Sequence, residues 1–482
     1  MQRIRLTLTA LGCGFLTSIA GSIANAQTRA FVGATLIDGT GGAPIHDAAI
    51  VVTDSLIDCA GTRRACAPFL ARAGNVVDVS GKWIIPGLID VHVHLTWPEL
   101  TPTDSVLLGL LRAGITTVRD VGSVTGSDWR STPYPAGQGE VERIAALARD
   151  VARRNLRGPR ILYCGPGLVS SDSLFPTRPG YRPIGIRLRT STNVDDVVSH
   201  LESQGASCIK LYSSSGPYSN PLSTIARHMQ EVLQAGQAHA LNGIGHSSER
   251  IPLETQLTWP WREIHHQYIP VEGLLRPESR AGLPESPWAR YAVSIARFDA
   301  TAPEAAALAA QVARRGIAWV PTLRVTQGAC EEDCWNNLRR QAASDSLIIR
   351  QALFDPANPP RSLRDSIDAT RPAGLRFVYG WTLLLHRSGV RILAGSDGPH
   401  PGVSTDLHSE LEQLVAAGLT PADALAASTR NAAIALGLIH RLGTITRSKV
   451  ADFLVLDADP LSDIRNVRAI RQVVLSGKMV DR

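Results

Sequence analysis

A chain of 482 residues with 44% hydrophobic and 19% charged content can bury a large core, and a mean hydropathy of +0.01 excludes both a disordered chain and a membrane-embedded one. The formal charge of +6 comes from scattered pairs such as Arg63-Arg64, Arg153-Arg154 and Arg314-Arg315. They form no basic stripe interleaved with aromatics, so nucleic acid is not expected as a partner.

In chain order, Arg3 and Arg5 precede an apolar stretch from Leu6 to Ile23 that closes on Ala24-Asn25-Ala26, the pattern of a cleavable signal peptide. Gly12, Gly14, Ser18 and Gly21 dilute the stretch and no charged stop-transfer flank follows. Residues 1–26 are therefore expected to be removed after Ala26, leaving a periplasmic or secreted chain without stable membrane insertion. Of the seven cysteines, Cys13 leaves with the leader. Cys59 with Cys66 and Cys330 with Cys334 form short-range pairs with no further ligand at zinc spacing, and an oxidising compartment favours disulfides there. Cys164 and Cys208 stand in apolar, strand-like runs and read as buried thiols.

Residues 27–81 alternate short β-like runs with Gly and Asp turns: Phe31 to Ile37, Ala48 to Thr53, Leu56 to Ala60 and Val76 to Val79. The same texture returns in residues 441–482, at Gly443 to Ile445, Phe453 to Asp457, Ile470 to Leu475 and Lys478 to Val480. Two all-β pieces at opposite ends can form one small β-sandwich if the middle of the chain begins and ends nearby.

Residues 82–440 alternate apolar runs with helical segments. The expected strands are Ile84 to His94, Thr116 to Val121, Arg160 to Gly165, Cys208 to Tyr212, Gly243 to His246, Glu263 to His266, Trp319 to Leu323 and Val390 to Asp397. Helical runs such as Val141 to Asn155, Thr224 to His239, Pro303 to Arg315 and Pro421 to Leu436 separate them. The expected fold class is thus α/β, a closed (β/α)8 TIM-type barrel rather than an open sheet. A long insertion at about 324–389 follows a strand end and should overhang the barrel mouth. It reads as a substrate lid, with an interface of a homo-oligomer as the alternative.

The run Ile84-Ile85-Pro86-Gly87-Leu88-Ile89-Asp90-Val91-His92-Val93-His94 carries the most information. Residues two apart on a strand face the same way, so His92 and His94 project together as a chelating pair. The alternative, two hydrogen-bonded core histidines, fits poorly with a barrel interior usually filled by branched apolar side chains.

The run resembles the opening strand of the amidohydrolase superfamily, and four further segments continue the resemblance. Cys208-Ile209-Lys210-Leu211-Tyr212 is similar to the strand whose lysine takes up carbon dioxide as a carbamate. Asn242-Gly243-Ile244-Gly245-His246 resembles the next strand with its terminal histidine, and His239 before it should be helical and no ligand. In Ile264-His265-His266-Gln267 the register gives His266 as ligand, with His265 and Gln267 where the family usually has an acid and a glycine. Ile392-Leu393-Ala394-Gly395-Ser396-Asp397-Gly398 resembles the eighth strand, ending in the catalytic aspartate. The resemblance covers the chain from about Thr35 onward, including Leu407-His408-Ser409-Glu410-Leu411 and Ala451-Asp452-Phe453.

The resemblance implies two divalent metal ions, zinc by ligand type, with manganese, cobalt or iron as alternatives. His92, His94 and Asp397 would hold one, His246 and His266 the other, and carboxylated Lys210 both. It implies a hydroxide between the metals and Asp397 as the proton-transfer group. Arg119, Tyr212 and His408 are candidate substrate contacts, although Arg119 could instead pair with Asp120.

Thr116-Thr117-Val118-Arg119-Asp120-Val121-Gly122, Gly158-Pro159-Arg160-Ile161-Leu162 and Gly165-Pro166-Gly167-Leu168 are most similar to the imidazolonepropionase-like and Xaa-Pro dipeptidase-like branch. That branch often has a histidine where Val169-Ser170-Ser171-Asp172-Ser173 has none. The implied reaction is hydrolysis of an amide or peptide bond in a small molecule, a dipeptide or N-acyl amino acid. Alternatives are a cyclic amide, lactone or other small ester-like substrate. A mononuclear deaminase could dispense with the Lys210 bridge, and a periplasmic binding protein would need none of the six ligands.

Overall fold

The computed structural model describes residues 27–95, 104–122, 138–169, 185–188, 192–212, 222–248, 250–283, 294–324, 363–398 and 406–481. The expected signal peptide, the Cys330/Cys334 pair and residues 325–362 of the expected lid lie outside them. β1 (Thr28–Leu36), β2 (Ile45–Thr53) and β3 (Leu56–Thr62) form an antiparallel meander. Asp54, at φ 54°, opens the two-residue turn between β2 and β3, where strand twist favours left-handed backbone. A disulfide joins Cys59 on β3 to Cys66 just beyond it. β4 (Asn75–Asp78) and β5 (Trp83–Pro86) lie parallel to successive parts of β1.

The run expected as one strand from Ile84 to His94 is two strands parted at Gly87, whose N–H bonds to the Asp452 carbonyl at 2.9 Å. Beyond it β6 (Leu88–Val93) pairs in parallel with β7 (Ile115–Asp120), and β7 with β8 (Arg160–Tyr163). A six-stranded parallel sheet follows, from β9 (Gly167–Val169), β10 (Gly185–Arg187), β11 (Cys208–Tyr212), β12 (Asn242–His246), β13 (Glu263–His265) and β14 (Ala318–Val320). β9 sits between β10 and β11, and the other strands follow in chain order.

Residues 390–397, expected as a strand, form no regular ladder. They nevertheless lie between β14 and β6: Leu393 N–H bonds to the Trp319 carbonyl at 2.9 Å, Val91 N–H to Ala394 at 3.2 Å and Asp397 N–H to His92 at 2.8 Å. Asp397 is left-handed, at φ 54°, and an extended ladder cannot pass through such a residue. On the other side, Ser207 N–H bonds to the Tyr163 carbonyl at 2.9 Å, bringing β8 alongside β11. That adjacency corrects the reading of Cys164 and Cys208 as thiols: their Cα atoms are 4.5 Å apart and they form a disulfide, within the range such a bond needs.

The helical run expected over Pro421 to Leu436 is broken into Pro421–Ala427 and Arg430–Ala435. The first is opened by a Thr420/Asp423 capping box. At the break the carbonyls of Ala427 and Ser428 accept from Ala394 and Ile89, so the helix gives up its own bonds to the central strands. The helix Leu363–Arg387 corrects part of the expected lid. It buries Phe377 and Trp381 and packs on the helix Pro303–Arg314, with Trp381 edge-on to Trp319 at 6.0 Å. It is a covering helix of the parallel sheet.

β15 (Phe453–Leu456), β16 (Ile470–Leu475) and β17 (Lys478–Met479) then join the first strands in the order β17, β16, β15, β5, β1, β2, β3. The chain ends thus share one continuous hydrogen-bonded sheet. Its core includes Phe31 edge-on to Phe453 at 5.0 Å. The molecule is an α/β protein with an additional β-sheet built from both ends. Among the described residues, no helix is long and apolar enough to cross a membrane.

Candidate metal centre

The alternation of β6 turns Asp90, His92 and His94 to one side, and all three are buried. Asp90 Oδ1 accepts the backbone N–H groups of His92 at 3.1 Å and Ser396 at 3.0 Å. It thereby fastens β6 to the segment carrying Asp397. Burial pushes the Asp90 carboxyl up to about 7, against the pull of its bonds to Ser396. The left-handed turn at Asp397 swings its carboxylate over β6, with Oδ1 3.1 Å from His92 Nε2 and 2.9 Å from His94 Nε2. At 19% exposure, the Asp397 side chain is more open than those of His92 and His94.

Neighbouring acceptors fix the imidazole protons. His94 Nδ1 lies 3.2 Å from the Gly122 carbonyl, which can only accept, so Nδ1 carries a hydrogen. His266 Nδ1 lies 2.7 Å from Thr322 Oγ1, whose own hydrogen goes to the Pro321 carbonyl. His266 Nδ1 therefore donates as well. Burial foremost holds His92, His246 and His265 well below the ordinary imidazole value, and His266 at about 3. Neutral imidazoles are the form that binds a metal.

His92 Nε2 and His94 Nε2 thus converge on one carboxylate oxygen of Asp397. Among the described residues, the fully buried His92 Nε2 makes no hydrogen bond, and Asp397 Oδ1 stands 3.1 Å from it. Ligand atoms of His92, His266 and Asp397 lie within 4.8 Å of one another, a nitrogen and carboxylate set suited to zinc. The residues fit a divalent metal.

His266 follows the last residue of β13, and strand alternation would turn it away from the side His265 faces. Its left-handed backbone, φ 64°, overrides that, held by Trp319 Nε1 donating to the His266 carbonyl at 3.0 Å. Both His265 and His266 therefore turn toward His92, with ring centroids 4.7 and 4.8 Å away. Gln267 turns into the packing, donating to Thr382 Oγ1 at 2.9 Å. His246, ending β12, stacks edge-on to His266 at 4.6 Å. His239 stands one residue beyond its helix and bonds to Glu202 and Asp195, away from this cluster.

Lys210, fully buried on β11, makes no ion pair among the described residues. Its Nζ lies 3.3 Å from His265 Nδ1 and 5.2 Å from the centre of the Tyr212 ring. Burial pushes the ammonium down to about 7 despite the pull of Asp397, so much of it is free amine at neutral pH. Tyr212 is brought to the cluster, edge-on to His246 at 4.9 Å. A Cβ at Gly167 would lie 2.1 Å from its ring, and one at Gly122 2.4 Å from its hydroxyl, so two glycines make the space it fills.

Two of the candidate substrate contacts have partners within the protein's packing. Arg119 pairs with Glu263 rather than Asp120, Nη1 donating to Oε1 at 2.8 Å and Nη2 to Oε2, with both side chains buried. The Asp120 carboxylate instead accepts from the Leu95 and Gly122 N–H groups. His408 is buried with Nε2 2.8 Å from the Ala113 carbonyl, before β7 begins and so at the opposite end from His94 and Asp120. Sequence reasoning missed Glu263, which shares a face with His265 at strand spacing, and Tyr268, whose ring lies 5.2 Å from both His246 and His266.

The Amidohydrolase family profile matches residues 381–480. An imidazolonepropionase of Deinococcus radiodurans is 25% identical over 443 residues, spanning 90% of this chain and 92% of that protein. Among solved structures, a Xaa-Pro dipeptidase with methionine bound in its active site superposes with a TM-score of 0.63 at 16% identity, covering 95% of this chain and 100% of that one. Ochratoxinase of A. niger gives 0.64 at 17%, covering 94% and 95%. At such identities the superpositions establish a shared fold.

Proposed function

We infer that the chain belongs to the amidohydrolase superfamily, in its imidazolonepropionase-like and prolidase-like branch, a reading supported by the family profile and the imidazolonepropionase match. It is a hydrolase of amide-type carbon–nitrogen bonds. Within that class, we propose an exported enzyme that cleaves the amide or peptide bond of a dipeptide or N-acyl amino acid. The strand order, with residues 390–398 bonded to both β14 and β6, supports a closed (β/α)8 barrel whose mouth holds the site. The Cys59–Cys66 and Cys164–Cys208 disulfides support an oxidising compartment.

The observation that carries the binuclear reading is Lys210, a buried amine among histidines that pairs with no carboxylate among the described residues. As a carbamate it would become an anionic ligand with two oxygens, shared between a site of His92, His94 and Asp397 and a site of His246 and His266. Two zinc ions there would acidify water toward neutrality and polarise the scissile carbonyl. Asp397, the more exposed of the cluster's acid–base groups, takes the proton of the attacking water and returns it to the leaving nitrogen. Tyr212 and Tyr268 wall the cluster, restricting water and orienting the substrate's apolar part.

Metal analysis of wild type and Lys210→Ala tests this reading. Two metals in wild type, at most one in the variant and partial recovery of activity with acetate or propionate support it. A variant that keeps two metals and turns over normally overturns it in favour of a mononuclear site. The full-length match to an imidazolonepropionase favours one second reading, hydrolysis of a cyclic amide or lactone, and a panel of both substrate classes separates the two.

A further inference from the structure

Beneath the candidate ligands lies a buried line of hydrogen bonds, from Arg119 through Glu263 and His265 to His92, that catalysis itself does not use. Arg119 stays charged at any working pH, and its two-pronged contact holds Glu263 as a carboxylate. A carboxylate only accepts, so His265 Nε2, 3.0 Å from Glu263 Oε2, carries a hydrogen. Lys210 Nζ, 3.3 Å from the other ring nitrogen, is a donor, so His265 Nδ1 is bare and accepts. Two nitrogens face that lone pair: His92 Nδ1 at 2.9 Å and Lys210 Nζ at 3.3 Å. His92 Nδ1 must therefore donate, which leaves His92 Nε2 as the lone pair facing Asp397 and His266.

We propose that His265, backed by the Glu263–Arg119 pair, is a positioning residue that sets the proton of His92 and accepts the N–H of Lys210, so that both present their ligand atoms to the metals. The inference rests on the metal-hydrolase reading above and deepens it. One acceptor atom serves two candidate ligands from different strands, β6 and β11. Lys210 has three hydrogens as an ammonium, two as an amine and one as a carbamate. In each form one N–H can point at His265 Nδ1, and in the carbamate that single N–H turns both oxygens away from His265. Imidazole ligands are commonly oriented by an acceptor on their other nitrogen, and losing it weakens metal binding about 10- to 100-fold.

Asparagine and glutamine at position 265 separate this role from mere packing. The side-chain amide of asparagine can place an oxygen where Nδ1 stands, whereas that of glutamine reaches the position of Nε2. His265→Asn should bind Zn2+ within about threefold of wild type in a competition titration of metal-free protein, and His265→Gln about 10- to 100-fold more weakly. Cobalt-loaded His265→Gln should also show an altered visible spectrum, with cobalt-loaded His265→Asn matching wild type. Far-UV circular dichroism checks that each variant is folded. If both variants bind Zn2+ as wild type does and leave the cobalt spectrum unchanged, the positioning role is overturned while the hydrolase reading stands. Wild-type protein that takes up no Zn2+ overturns the hydrolase reading, and the positioning role falls with it.

Discussion

Arg119 and Glu263, 144 residues apart, meet as a two-pronged ion pair whose side chains are only 1% and 2% exposed. Charges so placed are held by each other, and removing one strands the other in a medium that cannot solvate it. Arg119→Met or Glu263→Leu alone should cost about 3–5 kcal/mol, and the double variant should recover much of that loss. Urea unfolding measures both. Single variants that unfold at the wild-type midpoint would mean that water reaches the pair.

Asp397 is placed by its left-handed backbone to contact both His92 and His94 while facing the opening. Asp397→Asn keeps the side chain's shape and an oxygen but loses the capacity to accept a proton. It should fold normally and lower kcat by about a hundredfold or more. Activity within a few fold of wild type would assign the proton transfer to another group.

The Cys164–Cys208 disulfide closes a loop with a sequence separation of 44 and joins the end of β8 to the start of the strand carrying Lys210. Peptide mapping without reductant should recover Cys164 linked to Cys208 and Cys59 linked to Cys66. Replacing Cys164 and Cys208 with alanine should destabilise the fold by about 4 kcal/mol on the loop-entropy estimate. Free thiols at both positions in native protein would contradict the pairing.

Glu410 is fully buried, and burial pushes its carboxyl up to about 8, although it accepts the Arg324 N–H at 2.9 Å. Its folded pKa lies above its unfolded value, so between about pH 4.5 and 8 the native state holds the extra proton. The stability this confers is fully present below about pH 4.5 and lost as pH rises toward 8. Glu410→Gln cannot ionise, so its melting temperature should fall less than that of wild type over that interval. Parallel pH curves for the two proteins would sink the assignment.

Much of the site was legible along single strands. A period of two places His92 beside His94, and Lys210 and His246 stand in strands that resemble those of a known family. What defeated the reading was contact between elements. Arg119 has an acid next to it in sequence, yet alternation points Asp120 to the other side, and the partner comes from β13. Cys164 and Cys208 look like ordinary core residues until β8 and β11 are seen to be neighbours. His408 lies in a segment resembling the family, but its helix presents it to the far end of β7.

The sequence by itself determined, through strand periodicity, that His92 and His94 share a face, because side-chain alternation is local and survives in any arrangement of the strands; Lys210, His246, His266 and Asp397 became candidate ligands through the resemblance of their segments to the amidohydrolase superfamily. It also determined that the middle of the chain is built from βα units. Only the tertiary structure decided that His265 and His266 both turn toward His92, since a left-handed residue pinned by Trp319 breaks the alternation that sequence reasoning assumes. Only it showed that the Asp397 carboxylate meets two histidines on β6, through the bonds Asp90 makes to both segments. Backbone conformation at such residues is set by partners distant in sequence, 53 positions away for His266 and 306 for the Ser396–Asp90 bond beside Asp397, and no local pattern encodes which partner that will be.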